Sequence, residues 1–288
     1  MGSNKVSSLC RVAAIQMNSS DSKQHNLSMV EKLVTDAVAN HHAKLVLLPE
    51  NFALFDGAVA QAFGRDEATA LGEVRAFISS LAASLKVWII AGSTPCSQRR
   101  DGSEVESRVR SACWVYDENG QEISRYDKIH LFDVDVGDSY GSYRESEQFE
   151  PGTASVVVKS PAGMIGLSIC YDLRFPELYD RLAKEGAQIL TVPAAFTYKT
   201  GQAHWEVLLR ARAIENQCYV IAANQSGEHS KGRETWGHSM IIDPWGNVIA
   251  CADKGEGVIS ADIDLAYVAE LRSAMPVFSH KRVQSLTD

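Results

Sequence analysis

Cysteine is scarce and poorly placed for cross-linking. Cys10, Cys96, Cys113, Cys170, Cys218 and Cys251 are scattered irregularly through 288 residues with no CxxC pair, which argues against a disulfide framework or a zinc ribbon. No apolar run approaches the roughly 20 residues of a membrane span, and Met1 to Lys5 carry no hydrophobic signal core. Positive charge is in deficit, with 28 Lys and Arg against 36 Asp and Glu and a net charge of −8. Nothing therefore favours wrapping a nucleic acid or settling on an anionic membrane. The eight histidines contain no HExxH spacing, and Gly137 and Gly141 fit neither a P-loop nor GxGxxG. No metal and no cofactor are expected. What remains is a globular composition, 45% hydrophobic and 22% charged, which excludes disorder as the main state. These absences predict a cytoplasmic protein acting on a small molecule. No linker or low-complexity tract divides the chain, so a single domain over residues 1–288 is expected, ordered from about 10 to about 280.

The first third reads β-α-β-α-β, which calls for a layered α/β sheet. Arg11 to Met17 is a buried strand; Asp21 offers a helix N-cap, and Leu27, Val30, Leu33, Val34, Ala37 and Val38 recur at helical spacing to about Asn40. A strand from Lys44 to Leu48 ends abruptly at Pro49-Glu50. A helix through Leu71, Val74, Phe77, Ile78, Leu81 and Leu85 precedes a strand from Val87 to Ala91. A hairpin, Ala112 to Tyr116 with Glu122 to Tyr126, delivers Lys128 just past its second strand. Phe132 to Gly152 is polar, lacks an apolar period and reads as a long functional loop. Met164 to Ile169 is a strand that stops at Cys170, and Pro176 opens a helix closed by Gly186. The strand Gln188 to Val192 ends at Pro193, and a helix from about Ala203 to Asn216 and the strand Cys218 to Asn224 follow.

Glu50, Lys128 and Cys170 thus share one type of position, directly after a strand, where α/β sheets build their sites. The three side chains suit one reaction. A thiol of ordinary pKa is mostly protonated at neutral pH, so a nucleophilic cysteine needs a base for its proton and a cation for the developing oxyanion. On this reading Glu50 is the base, Cys170 attacks a carbonyl carbon, and Lys128 with the backbone N–H of Tyr171 holds the oxyanion. A histidine base is not required, although His130, His204 and His238 are available.

Leu47-Leu48-Pro49-Glu50, Tyr126-Asp127-Lys128-Ile129-His130-Leu131 and Ser168-Ile169-Cys170-Tyr171-Asp172-Leu173-Arg174-Phe175-Pro176-Glu177 closely resemble the three motifs of the nitrilase, or carbon–nitrogen hydrolase, superfamily. The resemblance implies a four-layer α-β-β-α sandwich, a Glu-Lys-Cys triad at Glu50, Lys128 and Cys170, and a second glutamate at Glu145 that hydrogen-bonds the Lys128 ammonium. It also implies a homodimer paired through helical faces. Thr200 to Glu206 and Arg210 to Ala223 are similar to the branch that contains omega-amidases and deaminated glutathione amidases, which act on 2-oxo acids with a distal amide. The expected substrate is then an anionic amide, foremost deaminated glutathione, with 2-oxoglutaramate or 2-oxosuccinamate as the alternative. The chain departs from that branch at Gln202, usually Pro, and at Ala194, usually Ser or Gly. Candidate substrate contacts are Arg174, His204, Trp205, Ala195 and Phe196; Arg174 either binds a substrate carboxylate or pairs with Glu177. Residues 133–145 are expected to decide how large a leaving group fits. A non-catalytic scaffold of the same fold is the rival, against which the intact buried-charge trio argues.

Overall fold

Strand β1 (Cys10–Gln16) is buried on both faces, and its alternate residues divide between two cores. Val12 and Ala14 face a second sheet, whereas Ala13 and Ile15 face helices, as the two-residue period of a strand requires. β2 (Leu45–Leu47) and β3 (Trp88–Cys96) repeat the division: Leu45, Leu47 and Ile90 go to the inter-sheet core, Val46 and Ile89 to the helical one. The structure, a computed structural model, describes residues 9–56, 59–69, 71–137 and 141–282.

Sheet one has the order β16 (Gly257–Ile263), β1, β2, β3, β4 (Arg110–Tyr116), β5 (Glu122–Asp127). β1, β2 and β3 are parallel, joined through α1 (Lys23–Ala39), then α2 (Ala60–Asp66) and α3 (Glu73–Leu85), while β16, β4 and β5 add antiparallel edges. Sheet two has the order β15 (Val248–Cys251), β14 (Met240–Ile242), β11 (Tyr219–Asn224), β10 (Ile189–Ala194), β9 (Gly163–Leu167), β8 (Val157–Ser160). Its parallel centre β9-β10-β11 is joined through α4 (Pro176–Lys184) and α5 (Tyr198–Asn216). Both halves thus follow β-α-β-α-β. Helices α1 and α3 cover one sheet through Val30, Val34, Val74 and Ile78; α4 and α5 cover the other through Tyr179, Leu182, Trp205 and Leu209. The result is the expected four-layer α-β-β-α sandwich. Two small pairs, β6 (Asp133–Asp135) with β7 (Ser142–Arg144) and β12 (Ser226–Glu228) with β13 (Glu234–Trp236), stand outside the sheets. α6 (Leu265–Ala274) and α7 (Val277–His280) follow β16. Among the described residues no helix is long and apolar enough to cross a membrane.

Several local expectations shift. Ser22 rather than Asp21 caps α1, its hydroxyl accepting from the His25 N–H at 3.4 Å. β10 runs through Pro193 to Ala194 instead of stopping before it. The segment read as a loop after Phe132 contains the β6–β7 pair and a helical turn at Glu145–Glu147, although residues 138–140 lie outside the described residues.

The close passage of β3 beside Glu50 depends on Gly92. Its φ is +32°, and a Cβ there would stand 1.9 Å from the Pro49 carbonyl oxygen. Gly92→Ala is expected to cost at least about 3 kcal/mol by overpacking and strain together and to displace Glu50. Urea unfolding checks this; a variant within about 0.5 kcal/mol of wild type, the range of neutral surface changes, contradicts it.

Candidate active site

Two sharp backbone turns set the site at the carboxyl ends of strands. Asn51, directly after Glu50, has φ 57°, and Cys170 has φ 47°, a conformation uncommon outside glycine and costly unless its surroundings enforce it. Here the surroundings do. The fully buried Asp172 carboxylate accepts from the Ile169 N–H at 2.9 Å, the Tyr126 hydroxyl at 2.7 Å, the His130 N–H at 3.0 Å and His130 Nδ1 at 2.7 Å. One carboxylate therefore ties the helical turn Cys170–Arg174 to the end of β5, which carries Lys128.

Lys128 Nζ donates to Glu50 Oε1 at 2.9 Å and to both Glu145 oxygens, each at 2.9 Å. The other Glu50 oxygen accepts the Ala195 N–H at 2.9 Å, and the Cys170 thiol lies near enough to the same carboxylate for each to shift the other's pKa. Glu145 also accepts the Phe132 N–H at 2.6 Å. Glu50, Lys128 and Cys170 are all buried.

These contacts fix the charge states. Burial alone raises the Glu50 carboxyl, but Lys128, the neighbouring Cys170 thiol and Arg233 outweigh it, leaving it below the usual carboxylate range. Glu145 moves the other way, raised by burial and by the Glu50 charge against the pull of Lys128. Burial disfavours the Lys128 ammonium, yet Glu145 and Glu50 hold its pKa well above the ordinary value. Burial and then the Glu50 charge push the Cys170 thiol well up despite Lys128. At neutral pH the site is a thiol beside a carboxylate and an ammonium, an arrangement able to run nucleophilic acyl chemistry with a general base. Of the other cysteines, Cys10, Cys96, Cys113 and Cys218 are buried as small apolar groups, while Cys251 is exposed.

A cleft of about 440 Å³ opens over these groups, lined also by Tyr171, Arg174, Ala195 and Phe196. His204 and Trp205 do not line it. Trp205 is fully buried, donates from Nε1 to the His238 carbonyl at 2.7 Å and packs behind Phe196 with ring centroids 4.9 Å apart. His204 Nδ1 lies 3.2 Å from an Arg174 nitrogen, so it orients the arginine from outside. Among the described residues Arg174 makes no ion pair with Glu177; its guanidinium lies 5.2 Å from the Phe196 ring centroid and 5.8 Å from that of Tyr171. Ala194 is buried in β10 and Gln202 is exposed on α5, and neither lines the cleft. Sequence reasoning missed Phe55, Phe132, Tyr143 and Arg233, which complete the wall. Tyr143 sits in a polar stretch and Phe55 and Phe132 in short aperiodic segments, and only the tertiary fold brings the Arg233 hairpin to the site.

The carbon-nitrogen hydrolase family matches residues 11–273. The chain is 39% identical over 274 residues to a deaminated glutathione amidase of Yersinia enterocolitica, covering 95% of this chain and 93% of that one. Its identity to a deaminated glutathione amidase of Mus musculus is 42% over 283 residues, covering 98% and 86%. The crystal structure of the C. elegans NitFhit protein shares the fold with a TM-score of 0.85 at 37% identity, covering 97% of this chain and 66% of that one. Family match, sequence identity and fold agree over nearly the whole length and bear out the resemblance seen in the three motifs: the chain belongs to the carbon-nitrogen hydrolase family.

Proposed function

We propose that the protein hydrolyses the distal amide of deaminated glutathione, the 2-oxo analogue of glutathione, to 2-oxoglutarate and cysteinylglycine. The observation that carries the reaction is one carboxylate, Glu50, hydrogen-bonded to the Lys128 ammonium and electrostatically coupled to the Cys170 thiol, all three lining one cleft. Glu50 takes the thiol proton as sulfur attacks the amide carbon. Lys128 and the Tyr171 N–H hold the oxyanion; Tyr171 is in the first turn after Ile169, where helical N–H groups lack intrahelical partners. Glu50 then passes its proton to the departing nitrogen, the C–N bond breaks and a thioester remains. Water gives a proton to Glu50, attacks the thioester and releases the carboxylic acid, and the proton returns to sulfur. Glu145 positions Lys128 through both carboxylate oxygens. No step calls for a cofactor.

The full-length identity to deaminated glutathione amidases supports the choice of substrate. Steady-state hydrolysis of deaminated glutathione and 2-oxoglutaramate in parallel, with Cys170→Ala as the blank, tests it. A kcat/KM at least about tenfold higher for deaminated glutathione, about 1.4 kcal/mol of transition-state preference, is expected. Preference for 2-oxoglutaramate transfers the protein to the omega-amidase reading.

Arg174 is assigned the 2-oxo acid carboxylate, since it lines the cleft without a carboxylate partner among the described residues. A planar fork binds a carboxylate bidentately and an ammonium does not, so Arg174→Lys should raise KM about tenfold. An unchanged KM for an anionic amide removes this role.

A cytoplasmic homodimer completes the proposal. Val207 and Ile214 lie seven residues apart on α5 and are exposed together with Trp245, an apolar surface suited to pairing through the α4–α5 layer. A monomer mass by light scattering contradicts that pairing.

A further inference from the structure

Arg233 is a cation of the cleft that the mechanism above does not use. It follows the tip of the β12–β13 hairpin, where the His229 N–H donates to its carbonyl at 2.8 Å. The hairpin is docked on the segment carrying Ala195 and Phe196, with the Trp236 N–H donating to the Phe196 carbonyl at 2.9 Å. Above this base the guanidinium lies 4.7 Å from the Phe55 ring centroid and 5.5 Å from that of Tyr143. Phe55 is backed in turn by His229, stacked at 3.8 Å. His229, pushed down to about 4 by burial and by Arg233, is a neutral platform at physiological pH. The position is built, but its donors are underused. Among the described residues the guanidinium makes one long hydrogen bond, to the Ala195 carbonyl at 3.4 Å, no carboxylate pairs with it, and its Nε is buried without a partner. Asp56, which shares the cleft, already has a partner of its own. A fork held unpaired in a cleft wall suits an incoming carboxylate.

Arg174 stands on a different wall, over Tyr171 and Phe196. Phe132 lies between the two walls, its centroid 5.0 Å from both Tyr143 and Tyr171. Glu50, Lys128 and Cys170 therefore face two guanidinium groups held on separate sets of rings. We propose that Arg233 binds a carboxylate on the leaving-group side of the scissile amide, while Arg174 takes the one on the acyl side. This inference rests on the amidase reading and narrows it. The preferred substrate is a dianion with a carboxylate at each end, and the amine released is an amino acid or short peptide with a free carboxyl terminus rather than ammonia.

The test compares deaminated glutathione with its carboxyl-terminal amide, a pair differing only in the charge assigned to Arg233. Wild type should prefer the free acid by at least about tenfold in kcat/KM; Arg233→Gln should bring the ratio to within about threefold of unity, and Arg233→Lys should retain part of it. A ratio unchanged in Arg233→Gln overturns the proposal, including the case where both rates fall equally, which assigns Arg233 to support of Glu50. A wild-type enzyme that cleaves neither compound but hydrolyses 2-oxoglutaramate defeats the substrate reading and the peptide leaving group with it, and leaves only the carboxylate site at Arg233 to be decided. Arg233 is then read from inhibition of that hydrolysis by cysteinylglycine and by its carboxamide. Stronger inhibition by the free acid, lost in Arg233→Gln, upholds the site, and equal inhibition by both overturns it.

Discussion

Cys170→Ala is expected to lower kcat by at least about 10⁴-fold, the scale on which removal of a covalent nucleophile acts. The reason is specific to the site. Glu50, Lys128 and Ala195 remain in hydrogen-bond contact without the sulfur, so the base and the cation persist, but no atom is placed to form the thioester. A water activated by Glu50 would have to attack the amide directly and supplies only a residual rate. Alanine loses one sulfur atom at a cleft wall, so stability should change by no more than about 1 kcal/mol, well inside the range of ordinary substitutions. Assays of product formation beside urea unfolding check both halves. A folded variant that keeps a tenth of the wild-type kcat removes Cys170 from the chemistry.

Glu50→Gln carries the second largest effect, about 10³-fold in kcat/KM, within the usual range for a general base. An amide keeps one acceptor for Lys128 or the Ala195 N–H but cannot take a proton, and burial, the largest cause of the raised thiol pKa, acts on Cys170 even without the Glu50 charge. Both acylation and deacylation need this proton transfer, so a better leaving group should not rescue the variant. The pH dependence has a definite sign. Because the Glu50 pKa is lowered, the acid limb that reports Glu50 should lie below the usual carboxylate range and be missing from the glutamine variant, while Glu145, raised by burial and by the Glu50 charge, takes up its proton first. The lowered Glu50 pKa contributes stability above the unfolded carboxyl pKa that is lost as pH falls through the folded one. The raised Lys128 pKa contributes stability that is complete below its unfolded value and lost at alkaline pH as it rises through the folded one. An acid limb below the usual carboxylate range that survives in folded Glu50→Gln assigns the proton transfer to another group.

The trio proposed as catalytic was legible because each member follows a strand and sits in a short motif whose local chemistry is complete. The strands themselves announced their burial through continuous apolar runs. Elements governed by tertiary contact were less visible. α5 begins at Tyr198, five residues before its expected start, and includes Gly201, a poor helix former. Trp236 explains that glycine: a Cβ would stand 2.2 Å from the indole side chain. Trp205 shows the opposite error. Beside His204 it looks like a pocket residue, but Gly201, Trp205, Leu209 and Ala213 recur every four residues and form the buried stripe of α5. That period was available in the sequence and identifies a core position. Arg233 offered no such signal, because its partners Phe55 and Tyr143 come from distant, aperiodic segments.

If hydrolysis passes through an acyl group on Cys170, that group partitions between water and added hydroxylamine. Deaminated glutathione and 2-oxoglutaramate differ in the amine they release but give the same acyl-enzyme. At a fixed hydroxylamine concentration one ratio of hydroxamate to free acid is expected from both substrates, and no hydroxamate with Cys170→Ala. A ratio that changes with the leaving group, or hydroxamate formed without Cys170, contradicts an acyl-enzyme on Cys170.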